Sequence, residues 1–122
     1  MAETGIEAKL TKHWAIIVKL RADNKCEYCK TTLHLNAHHI VGKRNKSLRW
    51  NISNGVCLCP SCHVFSTIFS AHGTPTIFSK WIIGERGEYW HEDLIQEANK
   101  IKKWTKQEKK DLLKEFEEML NV

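Results

Sequence analysis

The chain has 122 residues, 42% of them hydrophobic and 27% charged, with a net charge of +5. That length and balance fit one globular domain and are too small for two. No apolar run approaches the about 18 residues of a membrane-spanning helix, which excludes a membrane span, and the first residues lack the basic-then-apolar order of an export signal, so a secretory signal is not expected and a cytoplasmic protein is.

The basic excess is local. Residues 1–63 carry 10 Lys and Arg against 4 Asp and Glu, whereas residues 64–122 carry 9 against 10. A local positive field favours a polyanionic partner, nucleic acid first among them.

Hydrophobic spacing predicts a helix over about residues 7–21, with Leu10, Trp14, Ile17 and Val18 on one face. Residues 21–30 read as a turn holding a first C-x-x-C pair. Residues 33–41 are strand-like, residues 42–50 form a polar basic loop, and residues 55–58 read as a second short strand. Pro60 opens a helix expected to reach about Ser70, since Pro is tolerated in a first turn. Thr74-Pro75 starts another helix, with Phe78, Trp81 and Ile82 on one face and Gly84 or Gly87 as its stop. Leu94, Ile95, Ala98 and Ile101 mark the next. Thr105 and Glu108 form a capping box before Leu112, Leu113, Phe116, Met119 and Leu120. The class is α+β with few strands, read as one domain over 1–122: a core at about 26–70, the N-terminal helix, and a helical extension over about 75–121.

Five cysteines stand at 26, 29, 57, 59 and 62. Without an export signal, disulfides are disfavoured. Two C-x-x-C pairs, Cys26/Cys29 and Cys59/Cys62, suit a closed tetrahedral Zn²⁺ site that adds folding free energy to a short core. Cys57 reads as a small buried apolar residue.

His38 and His39 are adjacent, and His63 directly follows Cys62. Neighbours on a strand point to opposite faces, so one metal ligand and one base is the natural division of the His38-His39 pair. The zinc pins the start of the helix after Cys62, and the helix start presents His63 to the His38-His39 strand. His72 lies nine residues beyond His63. On a continuous helix that is about 2.5 turns, which turns it to the opposite side, so it is expected at the surface. His13, His34 and His91 have no partner by spacing.

The run AHHIVGK followed by WNISNGVCLCPSCH resembles the HNH endonuclease family, whose core is the ββα-metal finger, over about residues 26–63. The resemblance implies a small, treble-clef-like, zinc-stapled core. It also implies roles: His38 and His63 as ligands of a catalytic divalent ion, His39 as the general base that activates water, and Asn54 as the residue that fastens the loop between the strands and orients the base. Cys26, Cys29, Cys59 and Cys62 match the structural zinc site of many members. The implied activity is metal-dependent hydrolysis of DNA phosphodiesters, with Mg²⁺, Mn²⁺, Ni²⁺ or Zn²⁺ as the catalytic ion. A histidine base implies activity falling in mild acid. Small enzymes of this kind resemble those of phages and mobile elements, which implies the cytoplasm of a bacterial or phage-infected cell.

Lys43, Arg44, Lys46 and Arg49 lie in the loop between the strands and are candidates for phosphate contact. Trp50 reads as core rather than as a base-stacking platform. The C-terminal helices leave room for a homodimer or a specificity-giving protein partner. The competing reading is a non-catalytic four-cysteine zinc module that binds nucleic acid or protein, and a third is a toxin-like nuclease whose C-terminal helices bind an immunity partner. The complete His39, Asn54 and His63 set favours the nuclease, because a binding module has no need of it.

Overall fold

The computed structural model describes residues 4–122. Helix α1 (Gly5–Arg21) starts two residues before the expected Glu7 because Thr4 caps it. The Thr4 hydroxyl accepts the Glu7 N–H at 3.3 Å, and the Glu7 carboxylate accepts the Thr4 N–H at 3.0 Å. The buried face is Leu10, Trp14, Ile17 and Val18, as the spacing predicts. Asp23 and Asn24 then take left-handed φ values of 55° and 53°, which turn the chain into the first cysteine pair.

Strands β1 (Asn36–His39) and β2 (Gly55–Leu58) form an antiparallel hairpin, with His38 opposite Val56 and His39 opposite Gly55. Strand β2 has its expected bounds. Strand β1 is shorter than the strand-like run at 33–41, because His34 at φ 53° breaks the extended backbone before it.

Alternation across the hairpin separates two cores. Val56 and Leu58 join Cys26, Cys59, Cys62 and Phe69 on one face. Cys57 joins Trp14, Val18, Trp50 and Phe116 on the other. Trp50 is thus core, as expected, and its ring N–H donates to the Thr11 hydroxyl at 3.1 Å. Helix α1 crosses the second face so closely that a Cβ on Gly55 would lie 2.3 Å from Val18 Cγ2 and 2.9 Å from Trp14 Cζ2. Gly55→Ala is therefore expected to cost about 1–3 kcal/mol through overpacking. A lowered denaturation midpoint at unchanged m-value is the readout, and a wild-type midpoint would show that α1 yields at this crossing.

Helices α2 (Pro75–Arg86), α3 (Glu88–Ala98) and α4 (Lys106–Leu120) complete the chain. The break between α2 and α3 falls at Gly87, whose φ of 96° suits glycine alone. Phe78 and Ile82 of α2 seal the first core. Helix α3 ends before Ile101, which is left 94% exposed instead of continuing the predicted apolar face. Helix α4 begins at the predicted Thr105–Glu108 capping box and sets Phe116 into the second core against α1. Lys109 closes that contact on Glu7 at 3.4 Å.

One predicted helix is cut to a single turn. From Pro60 the chain makes a single wide turn (Ser61–Phe65), in which the Ser66 N–H bonds back five residues to the Ser61 carbonyl at 2.9 Å. It then doubles back: the Ala71 N–H reaches the Cys62 carbonyl at 2.8 Å, and the His72 N–H reaches the His63 carbonyl at 2.9 Å. Ser66 and Ser70 explain the break. Their hydroxyls compete for backbone groups that a helix would use, Ser66 accepting the Phe69 N–H at 3.1 Å and Ser70 donating to the Ser66 carbonyl at 2.7 Å. The architecture over the described residues is mixed: four α-helices around a two-stranded sheet. Among the described residues, no helix is long and apolar enough to cross a membrane.

Candidate metal and catalytic centre

The Cys26–Cys29 turn and the end of β2 bring four thiols together. The Sγ atoms of Cys26, Cys29, Cys59 and Cys62 all lie within 4.8 Å of one another. A tetrahedral ion with Zn–S bonds of about 2.3 Å has sulfur–sulfur edges of about 3.8 Å, so the set fits zinc. Burial raises the Cys26 thiol, but N–H groups of Cys29, Cys59 and Tyr28 outweigh it and bring it to about 7. Burial, then the Cys59 thiol, push Cys62 well up. Crowded thiols cannot all ionise unless a cation compensates their charge, which is what a zinc ion does. Cys57 stays outside the cluster and fully buried. Burial, then the Glu27 carboxylate, push its thiol up to about 11, in keeping with an inert apolar role.

The turn after Cys62 sets His63 against β1. His38 Nδ1 lies 3.1 Å from His63 Nε2, and His72 Nε2 lies 3.1 Å from the same nitrogen. The three imidazoles form one cluster with ligand atoms within 4.8 Å of one another. His72 is thus not turned away from His63, as a helix through Ser70 would require. The folded-back loop returns it to the site. The signal for this was local: Ser66, Thr67, Ser70 and Gly73-Thr74-Pro75 are turn formers inside and just beyond the expected helix.

Nitrogens around a tetrahedral ion at about 2.05 Å are separated by about 3.3 Å, so the triad also fits a divalent metal. Its electrostatics suit ligation. Burial, then His63, His72 and His39, hold His38 down to about 3, and burial followed by His72 lowers His63. Neutral rings keep their lone pairs.

The unfolded chain, with His near 6.5, binds the proton that folded His38 refuses. The resulting stabilisation is complete above about pH 6.5 and is lost as pH falls toward 3, at up to about 1.4 kcal/mol per pH unit. With zinc on the cysteines and no ion added to the triad, the His38 ring resonances are expected to stay fixed from about pH 8 to about pH 5, because that whole window lies above its folded value. A midpoint near 6.5 would contradict the burial.

His39 points to the other face of the hairpin and stacks on Trp14, with ring centroids 3.9 Å apart and planes 10° from parallel. Its Nε2 lies 2.9 Å from the Arg49 carbonyl oxygen. A carbonyl only accepts, so Nε2 carries the proton and Nδ1 holds the lone pair. The loop bearing that carbonyl is clamped by the fully buried Asn54. Its Oδ1 accepts the Val41 N–H at 2.7 Å, and its Nδ2 donates to the carbonyls of Val41 at 2.8 Å and Leu48 at 3.2 Å. Asn54→Ala is expected to cost about 3 kcal/mol or more, since each buried group left unpaired costs about 1–3 kcal/mol. Denaturation of the zinc-loaded variant measures it, and a loss below about 1 kcal/mol would mean that water replaces the clamp.

Of the four basic loop residues, Lys43, Arg44 and Lys46 are exposed, as is Lys80 on α2. The Lys46 carbonyl accepts the Trp104 ring N–H at 2.7 Å, which fixes the backbone of the loop at that point. Arg49 is turned inward, lying over the Trp50 ring at 4.7 Å and 3.9 Å from Glu7.

Residues 26–66 match the family model described as HNH endonuclease. No curated protein and no solved structure matches the chain. The matched segment, about a third of the chain, contains both C-x-x-C pairs, the hairpin, His38, His39, Asn54 and His63, and over these residues the chain is similar to that family.

Proposed function

We propose that this protein is a divalent-metal-dependent endonuclease that hydrolyses DNA phosphodiester bonds. The observation that carries the reading is one hairpin bearing two devices. His38 meets His63, and His63 meets His72, at 3.1 Å separations, while the adjacent His39 is tied through Nε2 to the Arg49 carbonyl. The HNH match over 26–66 supports the same activity.

In this reading His39 is the general base. Its Nδ1 takes a proton from water as the water oxygen attacks phosphorus and the P–O bond to the leaving sugar oxygen breaks, that oxygen taking a proton from solvent; the base is worth typically about 10²–10⁴ in rate. The imidazolium that forms strengthens its Nε2–H bond to the Arg49 carbonyl. Asn54 acts one step removed, holding the loop that aims that carbonyl. His38, His63 and His72 would hold the divalent ion, which when bound supplies Lewis-acid charge to the phosphate and leaving oxygens. Three neutral nitrogen donors favour occupancy by Ni²⁺ or Zn²⁺ over Mg²⁺. The four cysteines hold a structural zinc next to His63, and Lys43, Arg44 and Lys46 neutralise phosphates flanking the scissile one. The whole chain serves as one nuclease domain.

Supercoiled plasmid incubated with the zinc-loaded protein and Mg²⁺, Mn²⁺ or Ni²⁺ is expected to be nicked, and EDTA is expected to stop it. A protein that holds zinc and shifts DNA on a gel, yet cuts with no ion, would replace this reading with a four-cysteine binding module.

A further inference from the structure

The segment between His63 and His72 does more than return His72 to the triad. Its base is pinned by the Ala71-to-Cys62 and His72-to-His63 backbone bonds of 2.8 and 2.9 Å. Its interior is built on Ser70, which is fully buried and receives the Gly73 N–H at 2.9 Å. Phe69 anchors it inward, 5% exposed and stacked on Tyr28 with centroids 3.6 Å apart. Two large apolar side chains nevertheless point out: Phe65 is 75% exposed and Ile68 is 83% exposed, with Val64 beside them at 42%. The loop's own hydrogen bonds fix the backbone from which they project.

The surroundings say what they meet. No Asp or Glu occurs between Thr31 and Gly84, while Lys43, Arg44, Lys46, Arg49 and Lys80 do. A phosphodiester seated at the triad is therefore met by a surface segment without negative charge. The loop that starts at His63 and returns at His72 would adjoin the bases flanking such a phosphate. Apolar side chains held rigidly beside a nucleic-acid backbone act by entering the base stack and kinking the duplex.

We infer that the 64–71 loop is an apolar wedge, in which Phe65 and Ile68 insert between base pairs next to the scissile phosphate and bend the DNA. The inference rests on the nuclease reading above. It predicts preference for steps that unstack at low cost, such as TA, CA/TG, mismatches and nicks.

The test uses the full zinc-loaded chain with His39→Ala, which slows cutting enough for DNA binding to be read, and a short duplex with a fluorescent dye at each end. Binding is expected to raise energy transfer as the duplex bends, more so with a central mismatch. Adding Phe65→Ser and Ile68→Ser is expected to abolish that rise and to weaken binding by about 5- to 150-fold, the range seen when a stacking side chain is removed. Both positions are exposed, and retained zinc and melting temperature confirm an intact fold. Binding without bending, or equal bending by the variant, overturns the wedge and leaves the nuclease reading standing. Bending without cleavage by the wild-type chain sinks the nuclease reading and keeps the wedge. No binding at all overturns both. If sedimentation shows that the wild type pairs and the variant does not, with DNA bending unchanged, the loop is a self-contact instead.

Discussion

His39→Ala is expected to lower plasmid nicking by about 10²–10⁴-fold while the protein keeps its zinc. The variant removes the imidazole whose tautomer is set by the Arg49 carbonyl at 2.9 Å. It leaves His38, His63 and His72 in place, so metal binding at the triad should persist. The loss of the Trp14 stack costs about 0.5–1.5 kcal/mol and lowers the melting temperature slightly. His39→Gln separates the two effects, because it restores bulk over Trp14 without a base. Nicking rates and zinc content on wild type and both variants decide the matter. If either variant cuts within about tenfold of wild type, the loss is below the range for a general base, and another group takes the proton.

Removing zinc from the four-cysteine cluster is expected to unfold the chain. Structural zinc contributes about 10–16 kcal/mol in small zinc domains at neutral pH, more than most single domains have in total stability. The cluster joins the turn before β1 to the end of β2, and three of its cysteines are part of the first core. Cys62→Ser is expected to lower zinc stoichiometry and helical circular dichroism together. Cys57→Ala is the control. Its sulfur is equally buried but lies outside the cluster, so zinc should remain stoichiometric at a cost of about 1–2 kcal/mol for the small cavity. Full helicity after exhaustive chelation would mean that the two cores suffice without the ion.

These two predictions draw on different kinds of information. The four-cysteine cluster is legible as spacing: two C-x-x-C pairs are short-range patterns, and the fold has only to bring two local turns together. The division of His38 from His39 was legible as well, because strand geometry sends neighbours to opposite faces, and the structure has His38 on the triad side and His39 on Trp14. The capping boxes at Thr4 and Thr105 are equally local; the second marked its helix in the sequence, and the first moved the start of α1 by two residues.

Other features depend on contacts between distant residues, which spacing does not encode. Helical periodicity carries His72 away from His63. Ser66 and Ser70 end the helix and turn the chain back, so that the nine-residue separation becomes a 3.1 Å contact. Arg49 reads as a phosphate contact in a basic run, yet its side chain faces Glu7 of α1, far earlier in the chain, while its carbonyl orients His39. The need for glycine at 55 comes from α1 crossing the hairpin within 2.3 Å of where a Cβ would stand. Local residue patterns suffice for the two C-x-x-C turns, the helix caps, β2, and the residue types able to hold a metal and move a proton. Packing between elements settles which imidazoles share one point in space and which carbonyl meets the His39 ring, because a fold-back loop and a helix crossing are not set by the period of any one element.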